Sequence, residues 1–163
     1  MTFQLRLQLK KVLIMGLFVF SSMEAVQAQC NYFTKNEGGV TVKQFPPMPI
    51  GGINNKQVAL CISNVNDKNL LMLTVRFRNS RTSISKQMKI YFSNGKSLTL
   101  SSIASENGFI GGSEITLLKF RLTNSNEKAF IESEIASVVL NGSEKIKATM
   151  YQTYVADNLN CLQ

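Results

Sequence analysis

The side chains with the most chemical reach in this chain are its lysines and arginines, and three pairs of them recur at a spacing of two. Arg76/Arg78, Lys119/Arg121 and Lys145/Lys147 each lie in a run where apolar and polar residues alternate. Side chains two apart on a strand project from the same face. If the three strands are neighbours, Arg76, Arg78, Lys119, Arg121, Lys145 and Lys147 form one basic sheet face. Like charges directly opposite each other destabilise a sheet by roughly 0.2–1 kcal/mol per pair. A sheet that carries that cost is suited to hold an anion, such as an acidic polysaccharide, a lipid head group or an acidic protein partner. The plainer alternative is a solvated face, because basic residues on strands also discourage edge-to-edge aggregation. The charge is also concentrated along the chain. Lys68, Arg76, Arg78, Arg81, Lys86, Lys89 and Lys96 all fall between Lys68 and Ser105, where there is no Asp or Glu.

Other chemistries find little support. The chain has no histidine, which excludes Ser-His-Asp and Cys-His catalysis and every His-ligated metal site. It has no CxxC pair, no GxGxxG and no P-loop, so zinc ribbons, dithiol redox sites and nucleotide folds are not indicated. The run ENGFIGGSE, residues 106–114, is glycine-rich but has no strand-turn-helix context. It reads as a surface loop. Glu127, Glu132 and Glu134 fall on or near a helical stretch, with Glu127 and Glu134 one heptad apart. Two carboxylates flanking a cleft could run acid–base hydrolysis; the simpler role is a helix N-terminal charge and solvated surface. A nucleophilic Cys61 would need a lysine as its base. The expectation is a non-enzyme with no cofactor and no metal. Nucleic acid is not expected either, since of Phe77, Tyr91 and Phe120 two face the core and leave no stacking platform.

The N-terminus sets the compartment. Arg6, Lys10 and Lys11 precede the apolar run Val12–Phe20, and Val26-Gln27-Ala28 offers a peptidase site. Nine apolar residues are too few to span a bilayer, which takes about 20. Residues 1–28 are read as a cleaved signal peptide, and no transmembrane segment is expected after residue 28. The location is therefore secreted, periplasmic or cell surface. Removing Arg6, Lys10, Lys11 and Glu24 takes the net charge from +8 to +6. In an oxidising compartment Cys30, Cys61 and Cys161 are expected to yield one disulfide and one free thiol. A Cys30–Cys161 bridge would staple the two ends. Cys61, in the apolar run QVALCIS, would then be a buried small hydrophobe. Sequence alone leaves all three pairings open.

The elements that position these residues have a period of two. Leu71, Leu73, Val75 and Phe77 share one face, as do Met88, Ile90 and Phe92, then Leu98 and Leu100, then Leu118, Phe120 and Leu122, then Ile146, Ala148 and Met150. Such alternation marks half-buried antiparallel strands, and Ser137–Leu140 fits a shorter buried one. About six or seven strands at this spacing predict an antiparallel β-sandwich or barrel-like all-β fold. One short α-helix is expected near 125–134, capped by Asn124 with Glu127 three residues on, and burying Phe130, Ile131 and Ile135. Asn94-Gly95 and Asn141-Gly142 read as type I′ hairpin turns. Residues 29–56, with FPPMPIGGINN at 45–55, are expected to be irregular, and 57–163 to be the β-domain.

These readings converge on an exported, non-catalytic β-domain that binds a partner or serves a structural role, with the basic strand face as its candidate site. Two alternatives stand beside it: a subunit of a surface or periplasmic assembly built by strand addition, and a carboxylate-dependent hydrolase. The export reading has a direct check. N-terminal sequencing of the protein recovered outside the cytoplasm should begin at Gln29, one residue before Cys30; a start at Met1 would overturn the cleavage.

Overall fold

The computed structural model describes residues 30–162, and the segment read as a signal peptide lies outside them. The described chain forms β1 (Phe33–Glu37), β2 (Val40–Gln44), β3 (Met48–Ile53), β4 (Lys56–Val65), β5 (Lys68–Phe77), β6 (Gln87–Phe92), β7 (Ser97–Ser101), β8 (Ala104–Ile110) and β9 (Ser113–Arg121). Next in the chain are α1 (Asn124–Glu132), β10 (Ile135–Leu140), β11 (Glu144–Lys147) and α2 (Tyr154–Asn160). All strand pairs are antiparallel. The larger sheet runs β1-β2-β4-β5-β9-β8, with β3 also on β4; the smaller runs β11-β10-β6-β7.

The period-two faces set this arrangement. Ile62, Leu71 and Phe120 form one row across β4, β5 and β9, and Leu60, Leu73 and Leu118 form the next. All six are fully buried. Met88, Ile90, Val138, Leu140 and Ile146 do the same for the smaller sheet. The fold is therefore the β-rich one the alternation predicts. Met150 departs from the pattern and is 46 % exposed, beyond the end of β11.

Several expectations are corrected. Residues 29–56 are not irregular but supply β1, β2 and β3. Proline and glycine restrict a strand to an edge rather than forbidding it, and here β3 lies along the edge of β4. The glycine-rich run 106–114 is not a surface loop but a hairpin. Residues 104–110 are β8, and Gly111-Gly112 make a two-residue hairpin turn with φ of 53° and 74°. There are two helices among the described residues, not one. The cap of α1 is Thr123, whose hydroxyl accepts from the Asn126 amide, one residue before the expected Asn124. Glu127 receives a hydrogen bond from the Asn69 side chain at 2.9 Å. Ile131 is exposed, Ile135 belongs to β10, and Glu134 lies beyond the helix. The Asn94-Gly95 tip is a turn, but not type I′. Only Gly95 has positive φ, at 83°, and its amide bonds the Phe92 carbonyl. That is a three-residue hairpin loop with glycine in the left-handed position. Asn141-Gly142, at φ of 52° and 75°, is left-handed at both centres as expected.

The two sheets meet at β3 and β11 and curl into a half-barrel. β2 covers one half of β4's edge, from Val42 opposite Val65 to Gln44 opposite Ser63. β3 covers the other half, with a register shift between Pro49 and Gly51. Between them Pro46 and Pro47 have no N–H to offer the ladder. Two side chains take up the carbonyls there: the Cys61 thiol donates to the Phe45 oxygen at 2.8 Å, and the Tyr154 hydroxyl donates to the Pro46 oxygen. Past the break, the Ile50 carbonyl accepts from the Thr149 amide at 2.9 Å. At Gly51 a Cβ would stand 2.4 Å from the Lys147 carbonyl oxygen. Only glycine lets the sheets approach so closely there.

Cys30 and Cys161 are bridged, and Cys61 is a buried free thiol. In the loop-entropy model a bridge over this length restricts the unfolded chain by about 4–5 kcal/mol. Burial pushes the Cys61 thiol up from 9.0 to about 12, only partly offset by a hydrogen bond with Gln44. Burial likewise raises the Tyr154 hydroxyl. The native state thus holds both protons longer than the unfolded chain does. The contribution of Cys61 is complete below pH 9 and is lost as pH rises from 9 toward 12, by at most about 1.4 kcal/mol per pH unit per proton. Urea unfolding between pH 8 and pH 11 should show stability falling more steeply in the native sequence than in Cys61→Ala. Equal slopes would remove Cys61 from the alkaline transition.

Candidate functional site

The six basic residues do not share one face. Arg76, Lys119 and Arg121 lie on the outer face of the larger sheet, opposite Ile115, Met72 and Leu70 respectively. No two of them are directly opposite, so the like-charge cost anticipated from the sequence is not incurred. Lys119 is also neutralised, at 2.6 Å from Glu106 on β8. Arg78 lies one residue past β5 and borders a shallow depression of about 340 Å³ with Gly52, Asn54 and Met150. Lys145 and Lys147 stand apart, on the outer face of the smaller sheet.

That second face gathers a group of its own. Lys145, Val139, Lys89 and Thr99 form one row across β11, β10, β6 and β7. Lys147, Ser137, Tyr91 and Ser97 form the next. The alternation that buries Met88, Ile90, Val138 and Leu140 turns these side chains outward. Tyr91 leans toward the first row: the Lys89 ammonium lies 4.9 Å and the Lys145 ammonium 5.5 Å from its ring centroid. Each such contact is worth about 0.5–1 kcal/mol at an exposed site. No Asp or Glu belongs to this face. Glu144, the acid on β11, belongs to the opposite face and pairs with Lys56 at 2.6 Å. The two lysines are held on one ring with no carboxylate between them.

Beside the ring is a recess of about 770 Å³, bordered by Ser83, Ser85, Gln87, Lys89, Tyr91 and Thr99. Its wall is the 79–86 segment, pinned by Asn141. The Asn141 side-chain oxygen accepts from the Ser85 amide at 2.6 Å, and its amide donates to the Ser83 carbonyl and to Glu144, each at 3.2 Å. Asn141 thereby links the wall, the β10–β11 turn and the Lys56–Glu144 pair. Its left-handed backbone suits asparagine better than most residues.

The acidic and thiol candidates lie elsewhere. Glu127 holds Asn69. Glu132 is 3.7 Å from Lys96 and 3.6 Å from Lys128, and with Glu134 it borders a depression of about 170 Å³. Cys61 is buried and protonated, which is poor placement for a nucleophile. Among the described residues no cluster of His, Cys, Asp and Glu could hold a metal ion, and no helix is long and apolar enough to cross a membrane. Family models, curated proteins and solved structures give no match to the chain.

The role given to Asn141 is testable. Asn141→Gly keeps the left-handed turn but removes three side-chain hydrogen bonds. Amide exchange at Ser85 should accelerate at least tenfold while exchange in β4 and β5 stays unchanged. Unaltered Ser85 exchange would mean the wall holds itself.

Proposed function

We propose that the protein is an exported, non-catalytic binding module that engages an acidic partner through the outer face of its smaller sheet. The observation that supports this reading is the convergence of Lys89 and Lys145 on Tyr91, with Lys147 alongside and no acid on the face. An ammonium pair on a half-buried ring is repulsive by itself. An anion that reaches both relieves the repulsion and gains two charge-assisted contacts. Arg76 and Arg121 on the larger sheet are offset among apolar neighbours, which suits the solvated-face role.

A second reading rests on β8. This edge strand of the larger sheet leaves its outer backbone groups unpaired among the described residues, and Phe109 and Ile110 at its end are 72 % and 56 % exposed. Such an edge is suited to strand addition in an assembly.

Binding of the purified protein to heparin-like polysaccharide, polyglutamate and anionic vesicles separates the two. Under the first reading, affinity for at least one polyanion falls steeply with salt, and Lys89→Glu with Lys145→Glu costs at least tenfold, about 1.4 kcal/mol, with the melting temperature preserved. Absence of binding at low salt, together with a mass that grows with protein concentration, would overturn it in favour of the edge strand.

A further inference from the structure

Resting on the reading of this face as an anion site, we infer that its ligand is an acidic saccharide, a sugar chain bearing carboxylate or sulfate groups. The recess beside Tyr91 supplies two kinds of contact in one place. Lys89 and Lys145 supply positive charge at the ring. Ser83, Gln87 and Thr99 supply a hydroxyl, an amide and a second hydroxyl, and their side chains make no hydrogen bond among the described residues. Hydroxyl and amide groups that both donate and accept match the hydroxyl array of a sugar ring. The two cations match its acidic substituents.

The same surroundings offer an acidic peptide less to pair with. Most of the recess lies over β6 and the turn after β10, where strand backbone is spent in the ladder, so an extended peptide could pair only along β7, the edge strand that carries Thr99. The lining of the recess is about equally polar and apolar and includes Tyr91 and Val139, while Met88 is buried in the core. The recess is open along the sheet and about 770 Å³ in volume, room for a short stretch of a continuing sugar chain. The wall is fixed to the β10–β11 turn by Asn141, so the groups around the recess are held in position before a ligand arrives, which lowers the ordering cost of binding.

Calorimetric titration of the purified protein with oligogalacturonate, a neutral dextran oligomer of the same length, polyglutamate of matched charge and phosphatidylglycerol vesicles tests this. The expected result is tighter binding of oligogalacturonate than of polyglutamate or vesicles, and none of dextran. Gln87→Ala with Thr99→Val, both at exposed positions, should weaken oligogalacturonate at least fivefold and leave polyglutamate unchanged, with an unaltered melting temperature. Lys89→Glu should abolish binding of both. If polyglutamate or vesicles bind as tightly as oligogalacturonate, or the polar double variant changes nothing, the saccharide inference fails while the acidic-partner reading stands. If no anion binds at low salt, both fail.

Discussion

The edge of β4 is the constraint on which the rest of the half-barrel depends. A ten-residue strand needs partners along both sides, and on one side it has two in series, β2 and β3, with Pro46 and Pro47 between them. Where the prolines withdraw their donors, the Cys61 thiol and the Tyr154 hydroxyl take over the carbonyls. Because the ladder is interrupted, β3 can shift register and present Ile50 and Gly51 to the end of β11. An unbroken edge strand in register with β4 would leave the smaller sheet without this attachment. The free cysteine is thus an architectural residue, a neutral donor kept protonated by its burial.

Charge is sorted by the same architecture. Lys56 and Glu144 neutralise each other where β4 and β11 approach, and Glu106 takes Lys119 on the larger sheet. Acids are thereby drawn to the opposite face of β11 and to the β8 side. What is left on the outer face of the smaller sheet is basic and hydroxylic. The Lys56–Glu144 pair also serves that face indirectly, because Glu144 accepts from Asn141, which in turn fixes the 79–86 wall.

The core was legible in the sequence because alternation needs only local information. Leu71, Leu73, Val75 and Phe77 declare their face without reference to any neighbour. Lys89 and Tyr91 were legible as outward-facing for the same reason. What could not be read is which strands adjoin. Lys145 reaches Tyr91 across β10, a pairing set by contacts far apart in sequence, whereas the spacing of two suggested one face for residues that lie on two sheets. Proline and glycine between 38 and 53 masked three strands, since those residues weaken a strand signal even where an edge strand tolerates them. The helix α2 is only seven residues long, and burial of Val155 and Leu159 under tertiary packing decides it rather than helical propensity. Asn66-Asp67, left-handed at both positions, carries no glycine to mark the β4–β5 turn.

The bridge between Cys30 and Cys161 has a mechanical consequence. The two half-cystines are 131 residues apart and enclose nearly all of the described chain. Tension applied to the two ends passes from one terminus to the other through a single covalent link and never reaches the strands. While the link is oxidised the domain acts as an inextensible bead. It can be hung in series with other parts, or anchored at one end against shear, without its sheets being pulled open.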